Sequence, residues 1–209
     1  MTVLLALARG IDAVNRRIGK AAAWLILVAI LVSATNAVVR KVFDASSNSW
    51  LELQWVLFAA VFLLCASWTL MDNEHIRIDI VNAHLRKRTR DGIDIFGHIF
   101  FLLPFSLLLL WTSWPFFLSS YEINEQSLNA GGLPQWPAKM LVPLGFFFLT
   151  LQAISELIKR VAIITGRMED PHEGEGGSHA ALAAEAERLL AGVEKPGPNG
   201  EAAPPAAPK

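Results

Sequence analysis

The sequence is poor in the residues and motifs that catalysis and covalent cross-linking depend on. Its 209 residues include a single cysteine, Cys65, so no disulfide can form within the chain. Cys65 lies inside a long apolar stretch, where a small buried hydrophobe is the simplest role for it. No GxSxG nucleophile motif, Walker-type phosphate loop or HExxH zinc motif is present. These absences argue against an enzyme, and the sequence predicts no catalytic residue, no metal site and no bound cofactor.

Charged residues are missing from several long stretches of a chain that is 53% hydrophobic. One such stretch, residues 53–71, is 19 residues long. At about 1.5 Å per residue, a helix of that length crosses the roughly 30 Å hydrocarbon core of a bilayer. Similar stretches place four membrane spans at about residues 21–39, 50–71, 95–120 and 140–164. The sequence therefore predicts an all-α integral membrane protein whose membrane domain, residues 21–165, contains four transmembrane helices.

The segments around these spans are amphipathic or polar. In residues 1–20, apolar side chains recur at steps of three and four, which predicts a separate amphipathic helix in the membrane interface. Residues 76–85 predict a second, short interfacial helix, and Asp91-Gly92 predicts a turn before the third span. Residues 166–209 are rich in Glu, Gly, Ala and Pro, a composition typical of a disordered, flexible tail.

The distribution of Lys and Arg predicts the orientation of the chain. Twelve of them lie in segments 1–20, 77–90 and 159–167, which fall on one side of the membrane. Only three, Arg40, Lys41 and Lys139, lie on the other side. Because cytoplasmic segments carry the excess of Lys and Arg, we expect both termini and the tail in the cytoplasm. The connections 43–49 and 122–138 then face the periplasm.

The middle of each span is almost entirely Leu, Val, Ile, Ala and Phe, and it offers no charged group to an ion or a solute. A chain of this kind is a poor transporter by itself and a reasonable scaffold for a partner that transports. Polar side chains gather at the span ends instead. Glu52 and Gln54 open the second span, and Glu156 and Lys159, three residues apart, are expected to pair on one helix face.

A denser polar cluster follows the second span: Asn73, Glu74, His75, Arg77 and Asp79. Its carboxylates and imidazole could bind a divalent metal, but Arg77 and the position at a span end favour an interfacial salt-bridge network. The basic residues at 86–90 raise a similar choice between nucleic acid and membrane. Between two membrane spans, they favour anionic lipid headgroups over nucleic acid.

Four features occur together in this chain. Glu52 opens the second span, NEHIRID (73–79) follows it, AGGLPQWPAK (130–139) precedes the fourth span, and LQAISELIKR (151–160) lies near its end. In these features the sequence, over about residues 12–166, resembles the small permease subunit of tripartite ATP-independent periplasmic (TRAP) transporters, the DctQ-type family. The resemblance implies a bacterial inner-membrane protein without catalysis of its own.

The resemblance also implies two protein partners. One is a large permease subunit that binds sodium and solute and moves by an elevator mechanism. The other is a periplasmic solute-binding protein that delivers the substrate, usually an organic acid. The competing interpretations are a free-standing four-helix membrane organiser and a membrane enzyme that uses His75 and its neighbouring carboxylates.

On the transporter interpretation, two sets of residues have structural or contact roles. The first set holds helix ends or contacts the large subunit, and comprises Glu52, Gln54, Asn73, Glu74, His75, Arg77, Asp79, Glu156 and Lys159. The second set faces the periplasm, where the binding protein would dock, and comprises Glu122, Glu125, Gly131, Gly132 and Trp136.

Overall fold

A computed structural model of the protein describes residues 2–44, 47–72 and 87–168, and the regular structure of this part is helical. The helices are α1 (Thr2–Phe43), α2 (Asn48–Met71), α3 (Lys87–Gly97), α4 (Leu103–Glu122) and α5 (Trp136–Ile164), with a π-helical turn, His98–Leu102, between α3 and α4. The described residues contain no strand, and one isolated bridge joins Gln126 to Pro134. The predicted all-α class is confirmed for this part of the chain.

Four helical stretches in the described residues are long and apolar enough to cross a membrane: Thr2–Phe43, Asn48–Met71, Gly92–Glu122 and Trp136–Ile164. By length and composition, they confirm the four predicted spans. Large apolar side chains point away from the bundle, and Trp24, Phe62 and Trp111 are 72%, 78% and 81% exposed. Such an exterior suits contact with lipid or with another membrane protein.

Small and polar side chains, rather than large apolar ones, fill the contacts between helices. Many of them recur at a step of seven residues, which keeps one face of a helix toward its neighbour in a left-handed pair. The buried positions with this spacing are Ala8, Asn15, Ala22 and Ala29 in α1, and Ser106, Ser113 and Ser120 in α4. Small residues at such seams let helix backbones approach closely, which is how helices associate in lipid.

Two glycines mark close approaches between helices. A Cβ atom added at Gly145 of α5 would lie 2.8 Å from the Leu63 Cβ of α2. One added at Gly19 of α1 would lie 2.7 Å from the Trp68 Cβ of α2. α1 and α2 are therefore antiparallel neighbours, as their short connection predicts. α5 packs against α1, α2 and α4, so it contacts each of the other three long helices.

The N-terminal segment differs from its prediction. The sequence predicts a separate helix over residues 1–20, but α1 runs without a break from Thr2 to Phe43, a length of 42 residues. The seven-residue spacing of buried positions continues across the predicted boundary at residue 20, from Asn15 to Ala22. Both halves of α1 therefore present the same face to the bundle, and no proline interrupts the helix between them.

The third span also differs at its start. Asp91-Gly92, the predicted turn, lies inside α3, which begins at Lys87. An ion pair between Asp94 and Arg160, 3.1 Å apart, ties α3 to α5 and favours the helical path there. The π-helical turn ends two residues before Pro104, and the N–H of Leu103 donates to the carbonyl of His98. Because Pro104 cannot donate a hydrogen bond, a wider turn here is the expected local adjustment.

Candidate functional site

A carboxylate at the start of α2 organises one end of the bundle. The Glu52 side chain is buried, with 6% of the residue exposed. Its Oε1 accepts hydrogen bonds from the hydroxyl of Ser127 and from Nδ2 of Asn129, the latter at 2.8 Å. Its Oε2 accepts one from the backbone N–H of Leu133 at 2.6 Å. We call these four residues the Glu52 clasp, because they fasten the α4–α5 connection, residues 123–135, to α2.

Two further side chains from the first turn of α2 reach the tip of the connection. Nδ2 of Asn48 donates to the Ala130 carbonyl at 3.0 Å, and the Ser49 hydroxyl donates to the Gly131 carbonyl. Gly131 has a φ of +70°, a conformation that residues with a side chain rarely adopt. Gly132 has a different constraint, since a Cβ there would lie 2.8 Å from Oε1 of Glu52. The Gly-Gly pair thus allows the connection to turn and to approach the carboxylate.

The connection is folded upon itself as well as onto α2. The Ser127 N–H donates to the Leu133 carbonyl at 3.1 Å, and the Gln135 N–H donates to the Glu125 carbonyl at 2.8 Å. With the bridge between Gln126 and Pro134, these bonds form a short hairpin-like ladder. Several of its backbone polar groups are therefore paired within the connection, and the segment has a defined shape where the sequence predicts only turns.

Where this ladder meets α5, an ion pair and two aromatic contacts complete the region. The Lys139 ammonium pairs with the Glu125 carboxylate and lies 4.4 Å from the centre of the Phe116 ring. Because Lys139 hydrogen-bonds to it, the pKa of the Glu125 carboxyl is lowered below its ordinary value of 4.5. The Trp136 ring meets Tyr121 edge to face, with ring centres 5.5 Å apart.

The residues predicted to face the periplasm therefore lie together on one connection and its flanks. Glu122 is exposed at the end of α4, Glu125 is paired, and Gly131, Gly132 and Trp136 shape the tip and the start of α5. The sequence did not predict which groups satisfy Glu52. A signal was present, because a carboxylate at the start of an apolar helix needs donors, and the connection supplies a hydroxyl, an amide and a backbone N–H close together in sequence.

A second polar cluster lies between α1 and α5, toward the other end of the bundle. The Asn15 and Gln152 side chains are fully buried, and Nδ2 of Asn15 donates to Oε1 of Gln152 at 2.7 Å. Nε2 of Gln152 lies 2.9 Å from Oδ1 of Asp12 and 2.9 Å from Oε1 of Glu156. Within this cluster, each polar group of Gln152 has a partner, which is what burial of an amide requires.

Lys159 completes this cluster by pairing with its two carboxylates. Its ammonium lies 3.1 Å from Oδ2 of Asp12 and 2.5 Å from Oε1 of Glu156. The predicted pair between Glu156 and Lys159 is confirmed. The Ser155 hydroxyl, 2.8 Å from Oδ1 of Asp12, adds a neutral donor for the excess negative charge. We call Asp12, Asn15, Gln152, Ser155, Glu156 and Lys159 the Asp12–Lys159 cluster.

The sequence missed the contribution of α1 to this cluster. Asp12 appears in the sequence only as a charge off the apolar stripe of residues 1–20, and Asn15 gives no signal of its own. Their partners lie about 140 residues later in the chain, for example Asn15 with Gln152 at a separation of 137. A pairing over that distance depends on the register between two helices, which local periodicity does not reveal.

Gln54 forms no part of either cluster. Gln54 is half-buried near the start of α2. Asn73, Glu74, His75, Arg77 and Asp79 lie outside the described residues, so the choice between a salt-bridge network and a metal site stays a prediction. Within residues 2–44, 47–72 and 87–168, no group of three or more His, Cys, Asp or Glu side chains could hold a metal ion.

The chain matches a known protein family. The model of the family described as tripartite ATP-independent periplasmic transporters, DctQ component, matches residues 14–162, more than two thirds of the chain. The matched region contains all four residues of the Glu52 clasp and every member of the Asp12–Lys159 cluster except Asp12. Comparisons with curated proteins and with solved structures gave no significant match.

Proposed function

The chain belongs to the DctQ component family of the tripartite ATP-independent periplasmic transporters, and from this premise we propose that it is a scaffold subunit. In this role it braces a large permease subunit in the bacterial inner membrane and does not itself carry solute. The family membership is the observation that carries the proposal. The transported solute, on this proposal an organic acid or a similar compound moved with sodium, binds to the large subunit.

The arrangement of polar groups supports a bracing role. Near the two ends of the described bundle, the carboxylates of Glu52, Asp12 and Glu156 are bonded to nearby donors or to Lys159, in the Glu52 clasp and in the Asp12–Lys159 cluster. Between the two ends the seams contain alanine, serine and glycine. A solute pathway instead needs polar or ionisable groups that are available at the middle of the membrane.

The exposed surface supports a membrane partner. Phe58 and Phe62 of α2 and Trp111 and Trp114 of α4 are between 47% and 81% exposed. Aromatic side chains dominate the contact energy at many protein interfaces. Along these faces we propose contact with the large permease. The remainder of the apolar surface faces lipid.

The connection between α4 and α5 supports a place for the second partner. With both termini in the cytoplasm, this connection faces the periplasm, and a periplasmic solute-binding protein docks against the large subunit beside it. Glu122 and the paired Glu125 give the surface an acidic character, and the Glu52 clasp fixes its shape. A fixed loop loses less conformational entropy on docking than a free one.

Uptake into proteoliposomes tests the proposal. Vesicles are prepared with this chain alone, with the large permease alone and with both, and are supplied with the solute-binding protein, a sodium gradient and a panel of small organic acids. We expect uptake only when both membrane subunits are present. Uptake by this chain alone would contradict the scaffold role, and full uptake by the large permease alone would show that the chain is not a required subunit.

A further inference from the structure

A basic groove runs along the N-terminal half of α1, on a face that the Asp12–Lys159 cluster leaves open. Its volume is about 390 Å³. The described residues that line it are Arg9, Asp12, Ala13, Arg16, Arg17 and Lys20. Residues at steps of three and four lie on one face of a helix, so these side chains converge on a common space. Ala13, the smallest of them, leaves room between the cations.

The charge in this groove is not balanced by the rest of the described chain. Asp12 is the single carboxylate in its lining, and both of its oxygens are occupied by groups of α5. The four lining cations are exposed and form no ion pair with any residue in the described ranges 2–44, 47–72 and 87–168. The groove therefore presents four positive charges to whatever enters it.

The groove lies at the depth of lipid headgroups. Glu52 and Met71 are 19 residues apart in α2, which at about 1.5 Å per residue is close to the thickness of the hydrocarbon core. Met71 therefore lies near the boundary opposite Glu52. The guanidinium of Arg16 is 4.0 Å from the Met71 sulfur, so it lies at this same boundary. Lys20, about one turn inside it, can extend its ammonium outward.

An apolar stripe continues from the groove along the same face of α1. Trp24, Leu27 and Leu31 follow Lys20 at steps of four, three and four residues. Their side chains are 72%, 49% and 58% exposed. A ligand that fits both parts has an anionic head and long apolar chains directly attached to it. Free phosphate would use the cations and leave the stripe uncovered.

We propose that this face of α1 is a binding site for one anionic phospholipid. Its phosphate lies among Arg9, Arg16, Arg17 and Lys20, and its acyl chains lie along Trp24, Leu27 and Leu31. Anionic lipids are attracted to basic segments next to the membrane, and each Lys or Arg strengthens the binding about fivefold. The site requires no partner subunit, so it does not depend on the proposed transporter role.

Native mass spectrometry of the purified full chain, after removal of bound lipid, tests the site. Phosphatidylglycerol, which is anionic, is titrated against phosphatidylcholine with the same acyl chains, and inorganic phosphate is added as a competitor. We expect tighter binding of phosphatidylglycerol, with no displacement by inorganic phosphate. The double variant Arg16→Ala/Arg17→Ala should bind phosphatidylglycerol about 30-fold more weakly, since two cations are lost.

Matched variants separate a defined site from general attraction to charge. Arg40→Ala/Lys41→Ala removes two exposed cations from the other end of the same helix and should leave the affinity unchanged. Arg16→Lys/Arg17→Lys changes the same two positions but keeps their charge, and it should retain most of the binding. This result would assign the weaker binding of the double alanine variant to the lost charge. Trp24→Ala should weaken the binding of phosphatidylglycerol but should not create binding of phosphate alone.

Three results would overturn the proposal. The first is equal affinity for phosphatidylglycerol and phosphatidylcholine. The second is an equal loss of binding in the two double alanine variants, which would indicate unspecific attraction. The third is displacement of the lipid by inorganic phosphate, which would indicate a site for the free anion only.

Discussion

The two polar clusters fasten the two ends of the bundle in different ways. In the Glu52 clasp one carboxylate receives three neutral donors from a single connection, all within seven residues of sequence. In the Asp12–Lys159 cluster two carboxylates, an ammonium, two amides and a hydroxyl come from two helices, α1 and α5. The clasp thus holds a loop to a helix, whereas the cluster holds a helix to a helix. Loss of the Glu52 clasp should therefore make the α4–α5 connection more mobile. Loss of the Asp12–Lys159 cluster should destabilise the helix bundle itself.

The largest effect is expected when the cluster loses its cation. Lys159→Ala leaves the carboxylates of Asp12 and Glu156 close together and without an opposite charge. Their side chains are 18% and 16% exposed, so water compensates only in part. We expect a loss of about 3 kcal/mol in the free energy of unfolding, the low end for a broken buried pair. Thermal unfolding in detergent measures it.

A control for this variant is Arg167→Ala, which removes the same charge from an exposed position just beyond α5. It should leave the unfolding transition where it is. If Lys159→Ala also leaves the transition unchanged, α1 and α5 are not held together by this cluster, and the contrast between the two ends of the bundle is wrong.

Removal of the carboxylate of the clasp comes next. In Glu52→Ala the Ser127 hydroxyl, the Asn129 amide and the Leu133 N–H lose their shared acceptor. We expect the connection 123–135 to be cleaved about tenfold faster by a protease, since local opening limits cleavage. The thermal unfolding temperature of the bundle should fall less in Glu52→Ala than in Lys159→Ala.

Glu122→Ala is the matched control, because Glu122 is exposed at the end of α4. Its cleavage rate should equal that of the unchanged protein. Equal rates in Glu52→Ala and in the unchanged protein would show that the connection keeps its shape without the clasp.

A methyl group tests the close approach in the clasp. In Gly132→Ala the new Cβ would lie 2.8 Å from Oε1 of Glu52, so the carboxylate or the connection has to move. We expect a destabilisation of about 1–2 kcal/mol, typical of an overpacked site. The comparison is Gly10→Ala, where no atom lies within 4 Å and the helix should gain about 0.5–1 kcal/mol. Stability changes of the same sign in both variants would contradict the packing seen at Gly132.

The smallest effect is a pH dependence of the connection. The pKa of Glu125 is lowered below 4.5 by its bond to Lys139, so the pair contributes stability above that pH. The contribution is lost as the pH falls through the lowered pKa. Protease cleavage of the connection, measured with an acid-stable protease from about pH 6 to pH 3, should rise in the acid limb. Glu125→Gln should flatten that rise, and an unchanged profile in this variant would assign the effect to another group.

Local features of the sequence predicted the spans well, and long-range pairings lay beyond them. The length of an apolar stretch is a local property, so four spans and the pair Glu156–Lys159 follow from the sequence alone. The continuity of α1 depends on α5, since Ala8 and Asn15 become a buried face only when that helix packs there. The ion pair that favours the helical path after Asp91-Gly92 likewise joins distant positions, Asp94 and Arg160.

In the candidate site, too, single residues could be predicted from the sequence, whereas their distant partners could not. Glu52 is identified by its position at the start of an apolar helix, and Gly131 and Gly132 are identified as turn residues. The bonds of Glu52 to Ser127, Asn129 and Leu133 join positions 75 to 81 residues apart, and no local pattern specifies them. Burial limits which residues can donate to Glu52, because a nearly buried carboxylate needs donors that lie at its own depth in the membrane.

Copurification from mild detergent tests the central claim, that this chain serves as a brace for a larger permease, most directly. The tagged full chain is expressed at native level and isolated, and the proteins that accompany it are identified and quantified by mass spectrometry. The scaffold role predicts one large multi-span permease in a fixed ratio to this chain, with a lower yield of that complex in Lys159→Ala. Recovery of a stable protein with no membrane partner in stoichiometric amount would contradict the claim.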